Sequence, residues 1–429
     1  MNIAKKVADG LGFYYGWIIV TVALISMAFW FGIRSGFSVF YVVLLEDFGW
    51  NRGESAGVQS MALITYTVMA PLVGGLIDRF GPRRVVLPGI LILALGLILC
   101  RTIETLTQFY LLYGVLMGTG ITCIGIVTYS AILAHWFEKR RGLASGIAVS
   151  GMGLGTFVLV PFSQSLISMW GWRLTFVVLG GLVLIIVLPL NALFLRHKPL
   201  EIGQCVDGLE NKAPFNKGGS CAMESDDAEF GWTPTKVVSS GRFWALMGFV
   251  FFAIIGIYVI LVHNVRFLVD QGVAKMTAAF IFALVGVISL IFRIFWGWLS
   301  DRIGREKTYT MGIACACLGA GSLLLFEAYG SPLFIYSFFV FFGMGWGVTA
   351  PMFMAVAADL FRGKIFGLIY GFVEAGVGIG AAFGAWVAGF IFDETRSYQM
   401  AFVLVIVSLL LSCVFIWLSA PRKFRYLRQ

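Results

Sequence analysis

Three ionisable side chains sit where charge is expensive. Arg34, Arg293 and Glu374 each lie inside a run of apolar residues. A charge at the centre of a bilayer costs about 2.5–3.5 kcal/mol on insertion scales, so three together cost roughly 8–10 kcal/mol. That is comparable to the stability of a whole domain. Residues kept at such a cost face a wet cavity or one another, and they mark substrate or ion pathways. Arg293 carries a guanidinium that stays charged and can grip a carboxylate bidentately. Glu374 is the one acid among 22 that lies deep within an apolar run, which suits it to carry a proton. Arg34 is nearer the end of its run, where it is a second anion contact, part of an outer gate, or a side chain reaching for the interface. At 1.5 Å per residue, Arg293 lies about 10 Å, and Glu374 about 15 Å, from the same side of the membrane. Tyr258 and Tyr370 are further candidates to line a cavity, as are Thr119, Thr122, Tyr129, His263, Asn264 and Trp346.

A second set of chemistry-bearing residues recurs at fixed spacing. Asp78 in Gly74-x-x-x-Asp78-Arg79-x-Gly81 matches Asp301 in Gly297-x-x-x-Asp301-Arg302-x-Gly304, with every motif position displaced equally. Gly142, Leu143, Gly146, Gly151, Gly153 and Gly155 match Gly367, Leu368, Gly371, Gly376, Gly378 and Gly380, again at a single shared offset. The chain is therefore expected to be two duplicated halves. The repeat also supplies an internal control, since scaffold residues should recur. Arg293 instead faces Ala70, Glu374 faces Val149, and Arg34 falls near Tyr258. At 100° per residue, Gly142, Gly146 and Gly153 share one helix face, and Gly151 and Gly155 lie on another. Small residues let helices approach closely in lipid, here on two sides.

The elements that position these residues follow from length. Crossing about 30 Å of hydrocarbon takes about 20 apolar residues. Such runs begin near Tyr14, Ser55, Val85, Leu106, Leu143 and Leu174, and resume near Phe243, Thr277, Thr308, Pro332, Ile365 and Ala401. An all-α membrane protein of twelve transmembrane helices in two six-helix bundles is expected, over 1–196 and 241–429. Residues 197–240 would be a polar linker, acidic at Glu224, Asp226, Asp227 and Glu229. No cleavable signal is expected, because the first run continues without a small-residue cleavage site.

Of 429 residues, 59% are apolar and 12% charged, with mean hydropathy +0.91. Soluble domains run about 45–50% apolar and about 25% charged, which excludes a soluble enzyme, a nucleic-acid binder and a disordered chain. The net charge of +9 invites an acidic partner, until the basic residues are assigned to loops. With the N-terminus cytoplasmic, the inner face receives most of the 31, among them Lys5, Lys6, Arg83, Arg84, Lys139 to Arg141 and the tail. The outer face receives Arg52, Arg101, Arg173, Arg266, Lys275 and Arg396. This is the positive-inside pattern, so the charge encodes orientation in a cell membrane with both termini inside. Seven Cys without paired spacing read as packing residues, not a disulfide or zinc framework. No nucleophile–base pair, phosphate loop or metal spacing stands out, so neither enzyme activity nor a cofactor is expected. A monomer in the bilayer is expected.

The two Gly-x-x-x-Asp-Arg-x-Gly loops resemble the signature of the major facilitator superfamily. The resemblance implies two bundles rocking about a central site. It also implies that Asp78 and Asp301, with Arg79 and Arg302, gate against the eleventh and fifth helices. The first copy departs at Pro82, where an Arg is usual. Further stretches are similar to monocarboxylate transporters and oxalate–formate antiporters: Tyr15-Gly16-Trp17, Phe137-Glu138-Lys139-Arg140-Arg141-Gly142-Leu143-Ala144-Ser145-Gly146, and Phe292-Arg293. That resemblance implies carboxylate binding at Arg293. The family's proton-coupling Asp falls at Ser289, which becomes a substrate contact here, and its first-helix Lys falls at Ser35, beside Arg34. The antiporters' eleventh-helix Lys, near Glu374, is missing. The resemblance implies proton-linked symport of a small monocarboxylate, with Glu374 replacing the absent Asp. Carboxylate exchange is the alternative, and export of drugs or organic anions a more distant one.

Overall fold

Only a helix or a closed barrel satisfies every backbone group in hydrocarbon, and here each apolar run is helical. The computed structural model describes residues 14–208, 232–361, 363–419 and 421, and among these there is no strand. Lys5, Lys6, Cys221, Glu224, Asp226, Asp227, Glu229 and the basic tail beyond Pro421 lie outside the described residues.

Eleven described segments are long and apolar enough to span a membrane. We number α1 Gly16–Phe48, α2 Arg52–Phe80, α3 Pro82–Cys100 and α4 Leu106–Trp136. The next, Arg141–Phe194, has 54 residues. As one straight helix it would reach about 80 Å, far beyond one crossing. It turns at Gly171, whose φ of 78° is open to glycine and strained for other residues. Its arms are α5, residues 141–170, and α6, residues 172–194. There follow α7 Gly241–Asp270, α8 Lys275–Ile303, α9 Arg305–Tyr329, α10 Pro332–Phe361, α11 Phe366–Thr395 and α12 Gln399–Ser419. The twelve expected spans are thus present as twelve helical arms.

Two compact units emerge. One comprises Met1–Trp232 with Arg362–Ala375, and the other Thr233–Phe361 with Gly376–Gln429. In the first, α5 lies against α1 at its glycines. A Cβ on Gly151 or Gly155 would collide with the Leu24 or Ala28 carbonyl. In the second, α11 lies against α7 in the same way. A Cβ on Gly376 would meet Met247, and one on Gly380 would come 3.1 Å from the Phe251 carbonyl. Met247 and Phe251 follow Leu24 and Ala28 at the same offset by which Asp301 follows Asp78. The duplication therefore extends from sequence to the packing of a specific helix pair.

Cys100, Cys123, Cys315, Cys317 and Cys413 are free thiols on helices, in keeping with packing roles. Cys205 corrects that reading, because it is disulfide-bonded. It lies in the loop after α6, outside every apolar helix, so helix packing never governed it.

Candidate functional site

In the first unit, Trp30 and Arg34 are one turn apart on α1 and share a face. The Arg34 guanidinium lies 5.5 Å from the Tyr66 ring centroid and 5.9 Å from that of Phe31, within cation–π range. Tyr66, on α2, donates its hydroxyl to Glu374 Oε2 at 3.1 Å. Glu374 is 5% exposed, and Tyr370, one turn earlier on α11, is fully buried. Tyr66 thus offers its ring to the cation and its hydroxyl to the acid.

Ionisability alone did not single out Tyr66. The repeat carried a signal for it, because Tyr66 and Ala70 are the first-half counterparts of Ser289 and Arg293. Tyr66 on α2 and Ser289 on α8 thus occupy matching positions of the repeat.

In the second unit, Arg293 is 4% exposed, with its guanidinium 5.3 Å from the Trp346 ring centroid. Gly347 brings α10 close. A Cβ there would come 2.9 Å from the Ser289 carbonyl and 3.2 Å from the Arg293 amide. Ser289 is buried and its Oγ has no hydrogen-bond partner. An unpaired buried hydroxyl costs about 1–3 kcal/mol, so the unit keeps an unused donor one turn from its guanidinium. Tyr258 is half-buried on α7.

Asp78 accepts from the Gly367 amide at 2.8 Å and the Leu368 amide at 2.7 Å, at the first turn of α11. The helix dipole favours a negative charge there. Gly367 is required by space, since a Cβ would lie 2.6 Å from the Gly74 carbonyl and 2.7 Å from Asp78 Oδ1. Asp301 is held within its own unit by Arg305 at 2.6 Å, and Arg305 also pairs with Asp359 at 3.0 Å. Position 82, the counterpart of Arg305, is proline, so the repeat supplies Asp78 with no equivalent cation. Arg79 lies over Phe80 and Arg302 over Trp298. The amides of Glu138, Lys139 and Arg140 just before α5 donate to Asp207, from the loop after α6, at 3.1, 2.7 and 3.4 Å. Asp207 drew no attention in the sequence, because a lone acid in a polar loop carries no pattern.

The remaining polar candidates are mostly structural. Tyr129 donates to Asn191, and Asn191 to Ser26, in a buried network. Thr119 and Thr122 bond back to their own helix. His263 bridges the Ala385 carbonyl at 3.0 Å and the Tyr398 hydroxyl at 3.4 Å. Asn264 Nδ2 bonds the Ile260 carbonyl. Among the described residues no cluster of His, Cys, Asp or Glu could hold a metal ion.

The sequence is 27% identical to monocarboxylate transporter 13 of Bos taurus over 393 residues, 91% of this chain and 85% of that one. It is 25% identical to human monocarboxylate transporter 2 over 401 residues, 91% of this chain and 82% of that one. The fold is similar to that of the proton:xylose symporter XylE, with TM-score 0.76 and 16% identity over 94% of this chain and 95% of that one. Residues 18–370 match the Major Facilitator Superfamily. With most of its length matched and its spans in the number that fold requires, the chain is a multi-pass membrane transporter, not an enzyme, and belongs to the major facilitator superfamily.

Proposed function

We propose that the protein carries small monocarboxylates across a cell membrane together with protons, by alternating access. The observation that carries this reading is Arg293, a guanidinium buried in a membrane-spanning helix against an indole, with the unused Ser289 hydroxyl one turn away. A cation kept there at such cost is a carboxylate anchor. Similarity to monocarboxylate transporters points to the same substrate class.

Glu374 is the proton carrier. Protonated, it is a neutral residue in a dry place; ionised, it keeps the Tyr66 hydroxyl as a donor. Asp78 and Arg79, with Asp301 and Arg302, gate the inner side. The repeated halves, 1–196 and 241–429, rock about the substrate. Both termini lie in the cytoplasm, a reading that the basic loops support, and the monomer is the working unit.

Uptake of labelled lactate, pyruvate and acetate into proteoliposomes, with and without an imposed proton gradient, tests the reading. The wild type should accumulate at least one acid when the gradient drives it. Arg293→Ala should lower uptake at least tenfold, and Arg293→Lys should restore part of it. Glu374→Gln should retain exchange while losing gradient-driven accumulation. Full accumulation by Glu374→Gln removes the proton role; unaltered uptake by Arg293→Ala removes the anchor.

A further inference from the structure

Helix α4 is interrupted inside the first unit. Its segment Gly118–Cys123 ends and Ile126–Trp136 begins anew, across Ile124 at φ −110°, ψ 12° and Gly125 at φ −88°, ψ −167°. Counted from Trp136, the break lies about 17 Å into the helix, at membrane depth. Residues 120–134 are all buried, so the break faces protein. Irregular backbone at that depth is kept where it is buried in protein or lines a cavity, and the broken helices of transporters use it at binding sites.

The break starts a helix of 11 residues with no side-chain cap at Gly125. The amides of Ile126, Val127 and Thr128 therefore lack intrahelical acceptors and point out of the positive end of the segment. A second, independent feature meets them. The indole Nε1 of Trp30 has no hydrogen-bond partner, and the residue is 2% exposed. It stands where a side chain at 125 would go, for a Cβ on Gly125 would lie 2.8 Å from Nε1. Glycine at 125 thus keeps the indole N–H and the new helix start together. Thr128 Oγ1 is already spent on the Cys123 carbonyl at 2.7 Å, so it does not cap the break.

We infer that the α4 break and the Trp30 indole N–H form a subsite for an acceptor oxygen of the transported organic anion. The donors are neutral and the local potential positive, which suits an oxygen bearing partial or full negative charge. Arg34, one turn along α1 from Trp30, adds a cation to the same face. This inference rests on the carboxylate reading and adds residues that the reading does not use.

Indole-15N-labelled, detergent-solubilised protein provides the test. The Trp30 resonance is the one of thirteen absent from Trp30→Phe, or from Trp30→Tyr if the first variant does not fold. Propionate, pyruvate and oxalate are titrated in turn, with thermal stabilisation as a separate binding readout. The expected result is a saturable Trp30 shift with at least one acid. In Trp30→Phe the half-saturation concentration for transport of that acid should rise about tenfold, with maximal rate nearly unchanged. Response to all three acids identifies a carboxylate oxygen, and response to pyruvate or oxalate alone identifies the second oxygen; both support the subsite. If an acid stabilises the protein while the Trp30 resonance stays put and Trp30→Phe keeps its affinity, the subsite is overturned and the carboxylate reading stands. If no acid binds or is transported, both fall together.

Discussion

Tyr66 shows how one side chain can serve two charges. Its ring lies beneath Arg34 and its hydroxyl is bonded to Glu374, so replacing it separates the two effects. Tyr66→Phe keeps the ring over Arg34 and removes only the donor to a buried carboxylate. Loss of that bond should destabilise the protein by about 1–3 kcal/mol, read as a lower melting temperature in detergent. Tyr66→Ala should cost more, because it also removes aromatic packing against Trp30, whose ring centroid is 6.0 Å away. At this scale the sequence was informative about ionisable groups and poor about their partners. Arg293 and Glu374 stood out because charge is rare in an apolar run. A tyrosine in the same place is ordinary, and only a distant contact gives it meaning.

Helix contacts carry predictions of their own. Gly367 admits Asp78 and the Gly74 carbonyl to the start of α11, and a methyl group there must push them away. Gly367→Ala should destabilise by about 1–3 kcal/mol and slow transport, whereas Gly181→Ala, where a Cβ meets nothing within 4 Å, should be tolerated. A comparison of melting curves for the two variants checks this. The loop after α6 has its own signature in pH. Burial, reinforced by the positive charge of Lys198, pushes the His197 imidazole down to about 4, and its ring centroid is 4.8 Å from that of His135. The unfolded chain takes up this proton near the ordinary pKa of about 6.5, the folded chain only near 4. Stability from this group is therefore complete above about 6.5 and is lost as pH falls from there towards 4. His197→Gln should flatten the fall in melting temperature over that interval; an identical slope would exclude His197 as its source. Helix positions were legible from the lengths of the apolar runs, and the Gly151 and Gly155 face from the helical period. The α4 break was not, because it preserves the apolar pattern and changes only backbone angles. The bend at Gly171 was legible only through length, since no single helix of that size fits a membrane.

For the molecule as a whole, duplication is the organising fact, and the deviations from it are the informative part. The contact of α5 with α1 recurs as α11 with α7, down to matched residues. The charged residues within the spans, Arg34, Arg293 and Glu374, do not recur, which is why an internal comparison could locate them. The orientation proposed from the basic loops has a direct check. Single cysteines at Lys139 and Arg396, in a chain lacking the free thiols, should react with an impermeant maleimide from opposite sides of the membrane, Arg396→Cys from outside intact cells. Labelling of both from one side would overturn the orientation.

The proline at 82 gives the two halves unequal obligations. In the second half Arg305 pairs with Asp301 at 2.6 Å. In the first half the matching position is a proline and cannot pair with Asp78, whose carboxylate accepts from the amides at the start of α11. Pro82→Arg would give Asp78 a neighbouring cation, and under the gating proposed above it should slow transport. A duplicated protein that restored this symmetry would be a sturdier object and a poorer machine.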